Sequence, residues 1–167
     1  MPVSRRRLIS SALASAAMPQ AAFARTATEI TWDDLIPPGV PYAQIIGEGF
    51  MDERNDIWLP LFDNNAKKLN PDLDGAYIRM PGFIIPIDWA TAGVTSFVLV
   101  PYVGACLHTP PPPPNQLVFV TTDTPWPSRD LWDAVWVTGQ MQHDIQTTDV
   151  AETGYLLKAD AMEIYTW

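Results

Sequence analysis

The second half of the chain carries apolar and polar positions in short alternating runs, a pattern typical of strands with one buried face. The runs begin after the turn signal Asp74-Gly75 and are rich in β-branched and aromatic residues. They predict five strands, over residues 76–87 with a kink or bulge at Pro81-Gly82, and then over 95–102, 116–122, 134–141 and 154–167. Ser128 can cap a short helix over residues 129–133, between the third and fourth strands.

Five strands with a short helix between strands 3 and 4 follow the order of an OB-type barrel. We therefore predict a mainly β fold, a small OB-like five-stranded barrel over residues 71–167. Residues 25–70 lack this periodicity. They are predicted to form an irregular N-terminal segment that packs on the barrel, with a docking strand or turn near residues 30–35 and a short helix near 63–69.

The first 24 residues have the three parts of a removable signal peptide. Ser4 precedes three arginines at positions 5–7, an apolar stretch covers residues 8–18, and Ala22-Phe23-Ala24 has the small-x-small form of a cleavage site. The apolar stretch is too short to cross a bilayer as a helix. We expect cleavage near Ala24 and a periplasmic mature protein. The arginine pair resembles a twin-arginine signal, and an ordinary Sec signal is the alternative.

The net charge of the protein argues against some classes of binding partner. The 167-residue chain has a net charge of −9, and removal of the leader leaves seven basic residues against 19 acidic ones, a net charge of −12. So acidic a protein repels nucleic acid and anionic lipid. No segment after the leader is apolar enough to span a bilayer, so we expect no membrane insertion after signal removal. The single cysteine, Cys106, cannot form an internal disulfide.

The loop between the second and third predicted strands contains the candidate chemistry. Cys106 and His108 stand two residues apart and are followed by five prolines at positions 110–114. Consecutive prolines impose an extended polyproline II course without backbone donors, which can hold the preceding residues rigidly. In extended backbone, a spacing of two places both side chains on one face, about 6–7 Å apart.

A thiol and an imidazole on one face permit two kinds of chemistry. They can share zinc or copper, with His143 as a candidate third ligand, or His108 can activate Cys106 as a nucleophile. The third interpretation is structural, with a buried cysteine and a hydrogen-bonded histidine. The same loop supplies candidate partner-binding residues, namely Tyr102, Pro110, Pro114, Asn115 and Gln116.

The run from Leu99 through Gly104-Ala105-Cys106 to Gln116, together with Pro86 and residues 131–139, closely resembles the bacterial family called domain of unknown function 3299. The similarity extends from about Ile30 to the C-terminus. It implies an OB-like barrel in exported proteins or lipoproteins, some of which stand beside ABC-transporter components associated with zinc uptake. Unlike the lipoprotein members, this chain has no lipobox cysteine, since Arg25 follows the cleavage site.

The sequence thus predicts an exported periplasmic accessory or binding protein rather than an enzyme. It would bind zinc or copper through Cys106 and His108 and serve an ABC-transporter or metal-uptake component. Two alternatives stay open, a thiol-dependent enzyme with Cys106 as nucleophile and a purely structural docking module. No phosphate-binding loop, nucleophile elbow or zinc-protease motif occurs in the sequence.

Overall fold

The computed structural model describes residues 25–53, 57–105, 111–128 and 131–166. The described residues form eight strands, and the last five, which come from the alternating runs, are long. The strands are β1 (Thr28–Glu29), β2 (Phe50–Asp52), β3 (Ile57–Leu59), β4 (Tyr77–Ala90), β5 (Gly93–Val100), β6 (Val118–Trp126), β7 (Ala134–Thr147) and β8 (Glu152–Ile164). No helix of the described residues has the length and apolar character needed to cross a membrane.

Five of these strands close into a barrel in the order β4-β5-β6-β8-β7, with β7 pairing back to β4. Four of the pairings are antiparallel, and β6 and β8 are parallel. The two-residue β1 adds a parallel strand to β4, and β2 and β3 form a separate antiparallel hairpin. The predicted OB-like five-stranded barrel is therefore confirmed, with one extra strand at its edge.

The barrel interior is filled by the alternate apolar residues of each strand. In β4 and β7 buried and partly exposed positions alternate, as a pleated strand with one inward face requires. The fully or almost fully buried interior residues include Ile78, Met80, Ile84, Phe97, Leu99, Val118, Val120, Val135, Val137, Met141, Tyr155 and Leu157. Burial of each large apolar side chain stabilises the fold by about 1.5–3 kcal/mol.

The kink expected at Pro81-Gly82 is absent, because β4 runs unbroken through both residues. Gly82 serves packing instead: a Cβ there would lie 2.7 Å from Leu99 Cγ and 2.9 Å from Trp32 Cζ2. The missing side chain admits Trp32 against the barrel. The irregular pairing occurs later in β4, on either side of Asp88.

The helix expected over residues 129–133 does not form in its described part. Arg129 and Asp130 lie outside the described residues, and Leu131 and Trp132 form a turn. Trp132 has a φ of 73°, which interrupts a right-handed helix. Its backbone N–H donates to Ile84 O at 3.1 Å, so this connection hydrogen-bonds to β4 rather than to itself.

The N-terminal segment lies against the barrel through buried polar contacts. The hydroxyl of Tyr155, on β8, donates to Leu35 O at 2.5 Å and accepts from Asn70 N at 2.7 Å. Short 3₁₀ turns interrupt the segment at Asp33–Leu35, Asn64–Lys67 and Pro71–Leu73. The helix expected near residues 63–69 is the second of these, and the Asp63 side chain caps it by accepting from Asn65 N at 2.8 Å.

Candidate functional site

The four prolines at positions 111–114 form a buried strip at the surface of the barrel, which we call the polyproline wall. Pro113 has φ −63° and ψ 154°, the polyproline II conformation. The strip ends in the 3₁₀ turn Pro114–Gln116, where Gln116 N donates to Pro113 O at 2.7 Å. Since proline has no backbone N–H, the wall presents carbonyl oxygens and ring carbons only.

Two buried amides fasten the polyproline wall to the N-terminal segment. Asn115 Nδ2 donates to Asn65 O at 2.9 Å and to Lys68 O at 3.1 Å. Gln116 Nε2 donates to Trp32 O at 3.0 Å. The exposed fractions of Asn115 and Gln116 are 0% and 4%, so both predicted partner-binding residues position the wall from beneath. Asn115 Oδ1 is buried and accepts no hydrogen bond from the described residues.

Cys106, His108 and Pro110 lie outside the described residues, so their predicted roles stay predictions. The structure does describe both flanks of their segment. Ala105 is fully buried in a small apolar cluster on the outer side of the barrel, with Val98, Val100, Leu117 and Ala151. Pro111, on the other flank, is buried in the polyproline wall.

His143, the predicted third ligand, lies on β7. Its Nε2 lies 2.8 Å from Asn70 O, and its ring meets the ring of Tyr155 edge-on at 5.6 Å. Its backbone N–H donates to Asp74 Oδ1 at 3.0 Å. Within the described ranges, no group of three or more His, Cys, Asp or Glu side chains could hold a metal ion.

A cleft of about 550 Å³, which we call the proline cleft, opens beside the polyproline wall. The segment after β3 and the turn between β7 and β8 form its other sides. Its walls are mainly apolar and include Phe50, Leu59, Leu61, Phe62, Pro111, Pro112 and Val150. This volume and this lining are typical of binding sites.

Acidic side chains dominate the rim of the proline cleft. Its charged lining residues are Asp52, Asp63, Asp149, Glu152 and Lys67. Lys67 Nζ lies 2.8 Å from Glu152 Oε1, so the one ammonium group of this lining is paired with a carboxylate. The Asp63 carboxylate accepts a hydrogen bond from Asn65 N at 2.8 Å. The lining of the cleft therefore combines apolar side chains with a net negative charge.

A second cleft, of about 480 Å³, is lined by Pro111, Pro112 and Pro113 of the polyproline wall. We call it the tyrosine cleft, because Tyr42 and Tyr102 both line it. It shares Phe62, Pro111 and Pro112 with the proline cleft. Burial raises the pKa of Tyr42, and the neighbouring Tyr102 raises it further, so the Tyr42 hydroxyl stays protonated at neutral pH. Of the predicted partner-binding residues, Tyr102 lines the tyrosine cleft and Pro114 lines the proline cleft.

Several cleft residues carry no local signal in the sequence. Phe50 and Leu61 belong to the segment without periodicity, and Asp149 and Val150 belong to a turn. One available clue is the presence of large apolar residues, such as Phe50 and Leu61, in a segment without helix or strand periodicity. Phe50 and Leu61 are 61% and 52% exposed, which is unusual for large apolar side chains that lie close together.

Comparison with known proteins agrees with this architecture. The family model described as "Protein of unknown function (DUF3299)" matches residues 32–164. A crystal structure of a DUF3299 family protein from Pseudomonas aeruginosa is 30% identical, with a TM-score of 0.68, and the match covers 86% of this chain and 99% of that chain. No curated protein matches the sequence. The chain therefore belongs to the DUF3299 family.

Proposed function

We propose that this protein is an exported periplasmic accessory protein that binds zinc or copper through Cys106 and His108. The observation that carries the proposal is the anchoring on both sides of their segment. Ala105 is buried in an apolar cluster before it, and the polyproline wall is buried and hydrogen-bonded after it. A short segment with both ends fixed loses little further entropy when it binds a ligand.

The donor set fits these two metals. Thiolate and imidazole are the ligands that zinc accepts in structural and catalytic sites, and copper(I) also selects thiolate. The Asp63 and Asp149 carboxylates line the cleft that begins at Pro111 and add a negative potential there. Export is supported by the leader pattern of residues 1–24. A transporter or metal-uptake component is the partner class that we propose for the bound metal.

The test is metal content. The protein is produced from the full chain, exported, purified without chelator and analysed by mass spectrometry for zinc and copper. We expect near-stoichiometric metal in the wild type and a loss in both Cys106→Ser and His108→Ala. His143→Gln is the matched control, because its amide can still donate to Asn70 O, and it should retain the metal.

Absence of metal from the wild type, even after reconstitution under reducing conditions, would reject the proposal. Retention of metal by both loop variants would reject these two residues as ligands. Alkylation of Cys106 by iodoacetamide distinguishes a metal site from the alternative of a thiol-dependent enzyme. A metal-bound thiolate is protected until a chelator is added, whereas an activated nucleophile reacts quickly in metal-free protein.

A further inference from the structure

The proline and tyrosine clefts adjoin and form one apolar groove. The two clefts share Phe62, Pro111 and Pro112, so the groove passes over the polyproline wall without a break in its lining. Large apolar side chains along it are strongly exposed: Tyr42 46%, Ile45 48%, Phe50 61%, Leu61 52% and Tyr102 43%. A continuous exposed apolar surface of this kind marks an interaction site.

The prolines and most charged side chains of the groove are hydrogen-bond acceptors. The prolines at positions 111 and 112 contribute carbonyl oxygens and no N–H group, and neither carbonyl accepts a hydrogen bond from the described residues. The rim adds the carboxylates of Asp63 and Asp149, while the ammonium group of Lys67 is paired with Glu152. A complementary ligand must therefore supply N–H donors and positive charge.

A ligand that fills both clefts must extend past the residues that they share. The clefts of about 550 and 480 Å³ adjoin at Phe62, Pro111 and Pro112. An extended five-residue segment, about 17 Å long, is long enough to pass over these shared residues and place side chains on either side of them. Each cleft can receive one or two side chains of such a segment.

From these observations we propose that the groove binds an extended segment of a partner protein in which apolar side chains are flanked by lysine or arginine. The apolar side chains enter the two clefts against Phe50, Phe62 and Tyr102. The basic groups meet the carboxylates of Asp63 and Asp149 and the proline carbonyls. This binding does not involve Cys106 or His108. The peptide proposal can therefore be correct when the metal proposal is wrong, and the metal proposal can be correct when the peptide proposal is wrong.

The test uses a fluorescent five-residue peptide, Leu-Phe-Leu between two lysines, and protein produced from the full chain and purified after export. Fluorescence anisotropy measures the dissociation constant. Phe50→Ser should weaken binding about tenfold, since it removes an apolar wall that is already exposed and costs little stability. Met51→Ser is the matched control, because Met51 is 55% exposed on the same strand but does not line the groove.

Charge is tested in the same assay. Asp149→Asn should weaken binding two- to fivefold at low salt, and the exposed Asp144→Asn, outside the groove, should leave it unchanged. A peptide with glutamates in place of both lysines should bind at least tenfold more weakly. Equal binding of the two peptides, or equal losses in Phe50→Ser and Met51→Ser, would overturn the proposal.

Evidence that the groove binds either of two other ligands would also overturn the extended-segment proposal. If hexylamine alone displaces the peptide at the concentration at which the peptide itself binds, the groove is a small-cation site. If sedimentation shows a dimer of the wild type that Phe50→Ser converts to a monomer, the groove is an interface between two copies of this chain. A monomer that binds the lysine peptide and ignores hexylamine supports the extended-segment proposal.

Discussion

The hydroxyl group of Tyr155 offers the sharpest test of how the N-terminal segment is held on the barrel. Tyr155 is fully buried on β8, and its hydroxyl bridges two backbone groups of that segment, Leu35 O and Asn70 N. Substitution of Tyr155 by Phe keeps the ring in the core and removes this single bridging atom. The loss in stability therefore measures the bridge rather than the packing.

The magnitude follows from the two groups that lose their partner. A buried backbone donor or acceptor left without a hydrogen bond costs about 1–3 kcal/mol. With one donor and one acceptor affected, Tyr155→Phe should lower the free energy of unfolding by about 3 kcal/mol. For a chain of this size, that loss corresponds to a fall in Tm of roughly 6–12 °C.

Urea unfolding followed by tryptophan fluorescence measures the change. Tyr102→Phe is the matched control, because it removes a hydroxyl from a side chain that is 43% exposed. It should change the free energy of unfolding by less than about 0.5 kcal/mol. If Tyr155→Phe costs no more than Tyr102→Phe, the bridge contributes nothing to stability, and the account of how the segment is held is wrong.

Three further predictions concern titration, packing and export. Burial raises the pKa of Tyr155 from 10.0 to about 12, so below pH 10 the hydroxyl is neutral in both the folded and the unfolded state. Between pH 10 and 12 the unfolded state ionises first, which lowers the free energy of unfolding of the wild type by about 2–3 kcal/mol. Urea unfolding at a series of alkaline pH values should show this loss in the wild type and not in Tyr155→Phe. Gly82→Ala should lower the free energy of unfolding by about 1–3 kcal/mol in urea, because its Cβ would lie 2.7 Å from Leu99 Cγ; a loss below 0.5 kcal/mol would show that Trp32 and Leu99 move aside freely. N-terminal sequencing of the exported protein should begin at Arg25. Replacement of both Arg5 and Arg6 by lysine should block export by the twin-arginine route, whereas continued export would assign the Sec route.

The barrel could be predicted from the sequence because strand alternation is a local signal. Each of the five predicted strands overlaps a barrel strand, since inward residues such as Val135 and Val137 repeat with a period of two whichever strand lies beside them. The kink or bulge predicted at Pro81-Gly82 rested on a local turn signal, whereas this glycine is required by a tertiary contact that the local sequence does not show. That contact is with the ring of Trp32, from far away in the chain.

The candidate site was predictable only in part. The polyproline run stood out because prolines restrict their own backbone, and its wall does line two clefts. The opposite sides of those clefts come from residues such as Phe50, Leu61 and Val150, which meet only after folding. His143 resembled a ligand because residue type is visible in a sequence, while its contact with Asn70 O is not.

The bridge from Tyr155 to Leu35 also sets the order in which the chain can fold. Leu35 leaves the ribosome 120 residues before its partner, and β4 cannot complete the ring until β7 and β8 have been made. The closed barrel and its bridge to the N-terminal segment can therefore form only after the last strands have been made. Before that point a Sec translocase would receive an unfolded chain, whereas a twin-arginine translocase would receive its cargo only after β8 has closed the barrel.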